Sequence, residues 1–266
     1  MTNNTENTAD LKIYGDAASP TLIYLPGLHG DWTLISSFRR ALNNRTRFVE
    51  VTYPRTLTWS LEDYAAGVEA SFLAAGINSG WLLAESFGSQ IAWHLATRNR
   101  FATQGIILAG GFGKHPFRFA VRVLEKIAGQ VPLRVIVAVL FGYARLTRLR
   151  YRRSPETLAR IDEFIARRTE LDRQAACRRL QLVAANDPCS AVRQIKVPVF
   201  ALTGSIDPVV PWFVVRPWLK EHCTTLRDYK VIWRADHNVL RTAANQSAEL
   251  VVNWMNSTPE PQKEAS

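Results

Sequence analysis

Three cysteines, five histidines and two methionines are all that this 266-residue chain holds of those residue types. Cys177, Cys189 and Cys223 are odd in number and far apart, which argues against a disulfide framework and for three unpaired thiols in a reducing compartment. The histidines and cysteines have no metal-ligand spacing, so no metal site is expected. Long apolar runs are also missing: the longest, 135–141, has Arg134 and Arg145 close by and falls well short of the ~20 residues a spanning helix needs. Residues 1–10 are polar and lack the basic-then-apolar order of a secretory signal, so a cytoplasmic protein is expected. The cluster Gly110-Gly111-Phe112-Gly113 lacks the spacing of a dinucleotide fingerprint, and no cofactor is expected.

What is present is hydrophobic residues, at 47%, enough for a substantial globular core. The net charge of +10 is confined to one stretch. Residues 114–179 hold 16 Lys and Arg against 6 Asp and Glu, which leaves 17 of each sign elsewhere. Two readings stand for this basic segment. Its arginines coat solvated helix faces and favour solubility, or they meet an anionic membrane surface or anionic ligand. Nucleic acid is not expected, because no recognition motif accompanies the charge.

Short apolar runs alternate with longer amphipathic ones, the pattern of a mostly parallel sheet flanked by helices. Strands are expected at 11–14, 21–25, 47–52, 81–85, 105–109, 197–203 and 230–233. Helices are expected at 34–43, 61–75, 89–97, 211–221 and 239–255. Ser60, with Asp63 three residues on, reads as a helix start. The alternation stops after the glycine cluster, which reads as a flexible hinge. Helices rich in Arg, Leu and Ala follow at 118–128, 133–146 and 155–185, with one further candidate strand at 134–139. The resulting division is a core of 1–113 and 191–258, a basic helical cap inserted as 114–190, and a frayed tail at 259–266.

The segment Leu82-Leu83-Ala84-Glu85-Ser86-Phe87-Gly88-Ser89-Gln90-Ile91 runs from a strand pattern through a serine into a helix pattern. A serine on such a sharp turn projects its hydroxyl from the sheet's end, and small residues two before and two after it let strand and helix pass. This resembles the nucleophile elbow of the α/β-hydrolase superfamily, with Ala84 where glycine is commonest. In that family the order is Ser, then Asp or Glu, then His. Ser86 is matched by Asp207, in Gly204-Ser205-Ile206-Asp207-Pro208-Val209-Val210-Pro211, and by His237, which follows the last expected strand. Asp187 and Asp236 compete as the acid, but Asp187 does not follow a strand and Asp236 adjoins the histidine.

The resemblance also implies an oxyanion hole formed by the backbone N–H groups of Leu28 and Phe87. Leu28 lies in Tyr24-Leu25-Pro26-Gly27-Leu28-His29-Gly30, where Pro26 replaces a frequent histidine. His29 and His115 are candidate substrate-lining residues, though a turn contact is the favoured role for His29. The implied activity is hydrolysis of an ester or thioester of a small apolar acyl substrate through an acyl-enzyme. The same triad serves carbon–carbon hydrolases, lyases and cofactor-free peroxidases on this fold. A receptor or scaffold, or a peripheral membrane protein using the basic cap, is the alternative of another class. A dehalogenase is disfavoured, since that branch carries aspartate where Ser86 stands.

Overall fold

The computed structural model describes residues 8–98, 100–131, 163 and 166–257. Seven strands form one sheet: β1 (Asp10–Tyr14), β2 (Thr21–Leu25), β3 (Arg47–Thr52), β4 (Ser79–Glu85), β5 (Ala102–Ala109), β6 (Val199–Gly204) and β7 (Leu226–Ile232), in the order β1-β3-β2-β4-β5-β6-β7. Edge strand β1 runs antiparallel to β3 and every other pairing is parallel. The central strands read as unbroken apolar runs because both of their faces are covered. Side-chain alternation divides them between two cores. Ile23, Leu25, Leu82 and Ala84 face one core, and Leu22, Tyr24, Trp81 and Leu83 face the other.

The first core is covered by α2 (Leu61–Ala74) and α3 (Gly88–Ala96), the second by α1 (Ser36–Ala41) and the C-terminal helices. The α2 start follows the expectation: Ser60 Oγ accepts from the Asp63 N–H at 3.1 Å, and Asp63 accepts from the Ser60 N–H at 2.8 Å. Between β5 and β6 lie α4 (Arg118–Gln130), α5 (Glu170–Ala185) and the short α6 (Cys189–Gln194). Strand β5 nevertheless pairs directly with β6, Ile106 opposite Val199 and Ala109 opposite Leu202. The chain between them, described only in part, is the crossover that joins these two parallel neighbours. Helix α7 (Trp212–His222) follows β6. Among the described residues no helix is long and apolar enough to cross a membrane.

Three expectations need correction. The helix expected at 155–185 is interrupted: Glu163 and Ala166 are helical, residues 167–169 are not, and α5 starts afresh at Glu170, where Thr169 and Asp172 form a second reciprocal cap. The single helix expected at 239–255 is two, α8 (Val239–Thr242) and α9 (Ala244–Ser257), because Ala243 leaves helical backbone at φ −136° and ψ 46°. The glycine cluster is not a loose hinge. A Cβ on Gly113 would stand 1.8 Å from the Trp218 ring and one on Gly111 3.1 Å from Ser89 Cβ, so these glycines are sites of close packing. The helix at 133–146 and the strand at 134–139 lie outside the described residues.

Candidate active site

Strand β4 ends at Glu85 and α3 begins at Gly88, which leaves Ser86 to make the turn with φ +49°. That left-handed conformation costs an L-residue of order 1–3 kcal/mol and persists only where its surroundings enforce it. Here the Ser86 N–H donates to the Ala109 carbonyl of β5 at 3.1 Å, and its carbonyl accepts from Ser89 Oγ at 2.6 Å. Gly88 has no alternative, since a Cβ there would stand 2.2 Å from the Leu25 carbonyl oxygen. Ala84 is fully buried. The two small residues thus do what the pattern requires of them.

Asp207 follows β6, and His237 lies between β7 and α8. The His237 Nε2 is 2.9 Å from Ser86 Oγ, and its Nδ1 is 2.8 Å from Asp207 Oδ2. A carboxylate can only accept, so Nδ1 carries the proton and Nε2 is left to accept from the serine hydroxyl. The other Asp207 oxygen accepts from the N–H groups of Val209 at 2.8 Å and Val210 at 2.9 Å, which fixes the carboxylate plane. Burial pushes the His237 pKa down, but the Asp207 hydrogen bond and charge, helped by Glu85 and Asp236, outweigh it and leave the pKa raised. Gly110, at φ +54°, lets the histidine loop approach: a Cβ there would lie 3.0 Å from the His237 carbonyl oxygen. The competing acids have other bonding partners. Asp187 pairs with Lys114 at 2.6 Å, and Asp236 accepts from the Asn238 N–H at 3.0 Å.

Leu28 sits in the loop after β2, next to Gly27, which approaches the serine. A Cβ on Gly27 would lie 3.4 Å from Ser86 Cβ and 3.5 Å from the His29 ring. The Gly27 carbonyl accepts from the Gly30 N–H at 3.0 Å, and the Pro26 carbonyl accepts from Tyr53 Oη at 3.2 Å. Phe87 is buried directly after the serine. Burial lowers the His29 pKa. His115 is buried against Phe112, and its Nδ1 accepts from the Phe117 N–H at 3.1 Å. Burial, then the nearby His237, lowers the His115 pKa to about 4, so it stands by the site as a neutral ring.

A cleft of about 950 Å³ adjoins this loop. It is lined by His29, Trp32, Arg55, Trp59 and Arg167 among others, and by neither Ser86 nor His237.

Two features were not anticipated. Glu85, next to Ser86, is buried and accepts a very short hydrogen bond from Tyr24 Oη. A charge at the end of the apolar run Leu82-Leu83-Ala84 was the available signal. Two described arginines of the basic segment are also bound within the protein itself. Arg118 donates to the Ala184 and Ala185 carbonyls at the end of α5, at 3.0 and 3.1 Å. Arg168 pairs with Asp31. Burial opposes the Asp31 charge, yet His29, Arg168 and the Thr33 hydrogen bonds together hold its pKa at about 2.

A seven-stranded α/β sheet with a strained serine at its centre, hydrogen-bonded to a histidine from another loop, defines a recognisable class of fold. The chain belongs to the alpha/beta hydrolase family, whose model matches residues 22–252. Among curated proteins none is significantly similar to it. Solved structures similar in fold include an enol-lactonase from Burkholderia xenovorans, at 17% identity with a TM-score of 0.77, covering 94% of this chain and 96% of that one. A thermophilic esterase from Thermogutta terrifontis shares 15% identity with a TM-score of 0.73, covering 93% of each chain. A Mycobacterium tuberculosis protein provisionally named as a non-heme bromoperoxidase shares 15% identity with a TM-score of 0.71, covering 94% of this chain and 96% of that one.

Proposed function

We propose that this protein is a serine hydrolase that cleaves an ester or thioester of a small apolar acyl group through an acyl-enzyme. The observation that carries the reading is the hydrogen-bonded run from Asp207 through His237 to Ser86, with the serine held at φ +49°. A serine hydroxyl is a poor nucleophile until a base takes its proton. In the proposed reaction Ser86 Oγ attacks the substrate carbonyl as His237 Nε2 accepts the hydroxyl proton. The carbonyl electron pair moves onto oxygen, where the Leu28 and Phe87 N–H groups stabilise it. Collapse expels the alcohol or thiol, which leaves with the proton from His237. Water then gives its proton to His237, attacks the acyl-enzyme, and releases the acid and free Ser86.

Asp207 holds the histidine tautomer and stabilises its cation throughout. The helices between β5 and β6 form a cap that shapes the acyl pocket, with the neutral ring of His115 adding little polarity to it. The names of the enol-lactonase and esterase neighbours agree with carbonyl chemistry of this kind. Intact-mass analysis after a fluorophosphonate probe tests the reading. One adduct on the native protein, absent from Ser86→Ala, is expected, together with hydrolysis of short p-nitrophenyl esters. An unlabelled native protein without esterase activity overturns it.

A further inference from the structure

We infer that Arg179 is a positioning residue for the oxyanion hole, an inference that rests on the reading of Ser86 as the nucleophile. Arg179 lies on α5, after the insertion has left the core and on its way back, and only 2% of it is exposed. Its hydrogen bonds go to carbonyls and not to a carboxylate: Nη1 donates to Leu28 O at 2.8 Å and Nη2 to Pro54 O at 3.3 Å. Burying a guanidinium on such terms is costly, so its site must be shaped around it. Gly30 supplies that shape. It has φ +77°, and a Cβ there would lie 2.5 Å from Arg179 Nη1 and 2.7 Å from Cζ. Any Cβ there would displace the guanidinium from this position.

The clamp falls on the turn that carries the first oxyanion donor. The Gly27 carbonyl is tied to the Gly30 N–H, and in a trans peptide the Leu28 N–H points the opposite way. Arg179 holds the next carbonyl of that turn, and the Gly30 carbonyl is held by the Tyr53 N–H at 2.8 Å. The second donor rests on the same assembly. The guanidinium lies 5.6 Å from the Tyr53 ring and 5.9 Å from the Tyr64 ring, and both rings meet the Phe87 side chain edge-on, at 6.1 and 5.8 Å. The seat of the insertion and the alignment of both donors are therefore one structure. A residue that merely fastened α5 to the core would lower stability and leave turnover per folded molecule unchanged.

The test compares full-length Arg179→Met and Arg179→Lys with the native protein. One readout is hydrolysis of p-nitrophenyl butyrate per site titrated to completion with a fluorophosphonate. The other is hydrogen exchange across residues 26–32, read by mass spectrometry. Arg179→Met is expected to lower kcat per titrated site about 100-fold, the order of effect of an oxyanion donor misplaced by about 1 Å. KM should stay within twofold, and exchange in the loop should quicken. Arg179→Lys keeps the charge but not the fork, so it should recover part of kcat. Should the methionine variant not fold, the lysine variant carries both readouts, with a kcat loss of at least about threefold expected. Native kcat per site with unaltered loop exchange overturns the role of Arg179 in either variant. A native protein that takes no label and cleaves no ester overturns the reading of Ser86 instead, so the two failures are distinct.

Discussion

Replacing Asp207 by asparagine keeps nearly every atom of the site and reverses one hydrogen bond. In the native protein one carboxylate oxygen accepts from His237 Nδ1 at 2.8 Å and the other from the Val209 and Val210 N–H groups at 2.8 and 2.9 Å. Asparagine has a single acceptor oxygen. The two backbone donors claim it and turn the amide NH2 towards His237, whose Nδ1 must then be the acceptor. The histidine proton moves to Nε2, which faces Ser86 Oγ at 2.9 Å and can no longer take the hydroxyl proton. The wrong tautomer in such a triad costs about ten-thousand-fold in kcat, or roughly 5.5 kcal/mol of barrier.

The pH dependence changes with it. Because the His237 pKa is raised, the native acidic limb of kcat/KM should have its midpoint above the ordinary value of 6.5. Loss of the Asp207 charge removes the main opponent of burial, so the residual activity of the variant should have its limb below that of the native enzyme. The stability linkage has the opposite sense. A histidine raised in the folded state stabilises it below its unfolded pKa, and that contribution fades as pH rises through the folded value. The stability deficit of Asp207→Asn should therefore be larger at pH 5.5 than at pH 9. Stopped assays on p-nitrophenyl butyrate from pH 5 to 9, beside thermal melts, measure both effects. A variant within tenfold of native kcat, or with an unmoved limb, refutes the reasoning.

Gly88→Ala should fold poorly or melt far below the native protein, since its Cβ falls 2.2 Å from the Leu25 carbonyl oxygen; a melt within 2 °C of native would contradict this. Tyr24→Phe leaves the buried Glu85 carboxylate without its tyrosine donor, at a cost of about 1–3 kcal/mol in urea denaturation. Thr169→Ala removes the reciprocal cap of α5 and should cost about 1 kcal/mol by the same assay with turnover kept within twofold.

The sheet was largely legible because its strands are buried on both faces and therefore read as apolar runs: 21–25 and 47–52 were bounded to the residue. The turn at Ser86 was legible for a related reason. Ala84 and Gly88 are dictated by a close approach of strand and helix, which leaves a local mark on the sequence. Asp207 and His237 could be ordered along the chain, but only the fold brings them within 2.8 Å of each other. What stayed hidden depends on contacts distant in sequence. Arg179 meets Leu28 and Pro54 across more than a hundred residues, so within its own helix it looks like one more member of a basic stretch. Glu85 likewise makes sense only once β2 lies beside β4 and offers it Tyr24. The glycines at 110–113 signalled small size, which a packed corner and a pliant joint require equally.

The direct pairing of β5 with β6 bears on how such a protein can change over evolutionary time. Joining two strands across about 90 intervening residues carries a closure entropy that grows only with the logarithm of the span, so doubling that span would cost roughly 0.6 kcal/mol more. Residues between the two strands can therefore be lengthened, shortened or exchanged at small thermodynamic expense, while the sheet keeps its register from Ile106–Val199 to Ala109–Leu202. Such exchange leaves the order of the strands undisturbed. A replacement that omits an arginine at the place of Arg179 would inherit an unfilled hollow over Gly30, and so a lineage that swaps its insertion must also rebuild the turn at residues 27–30.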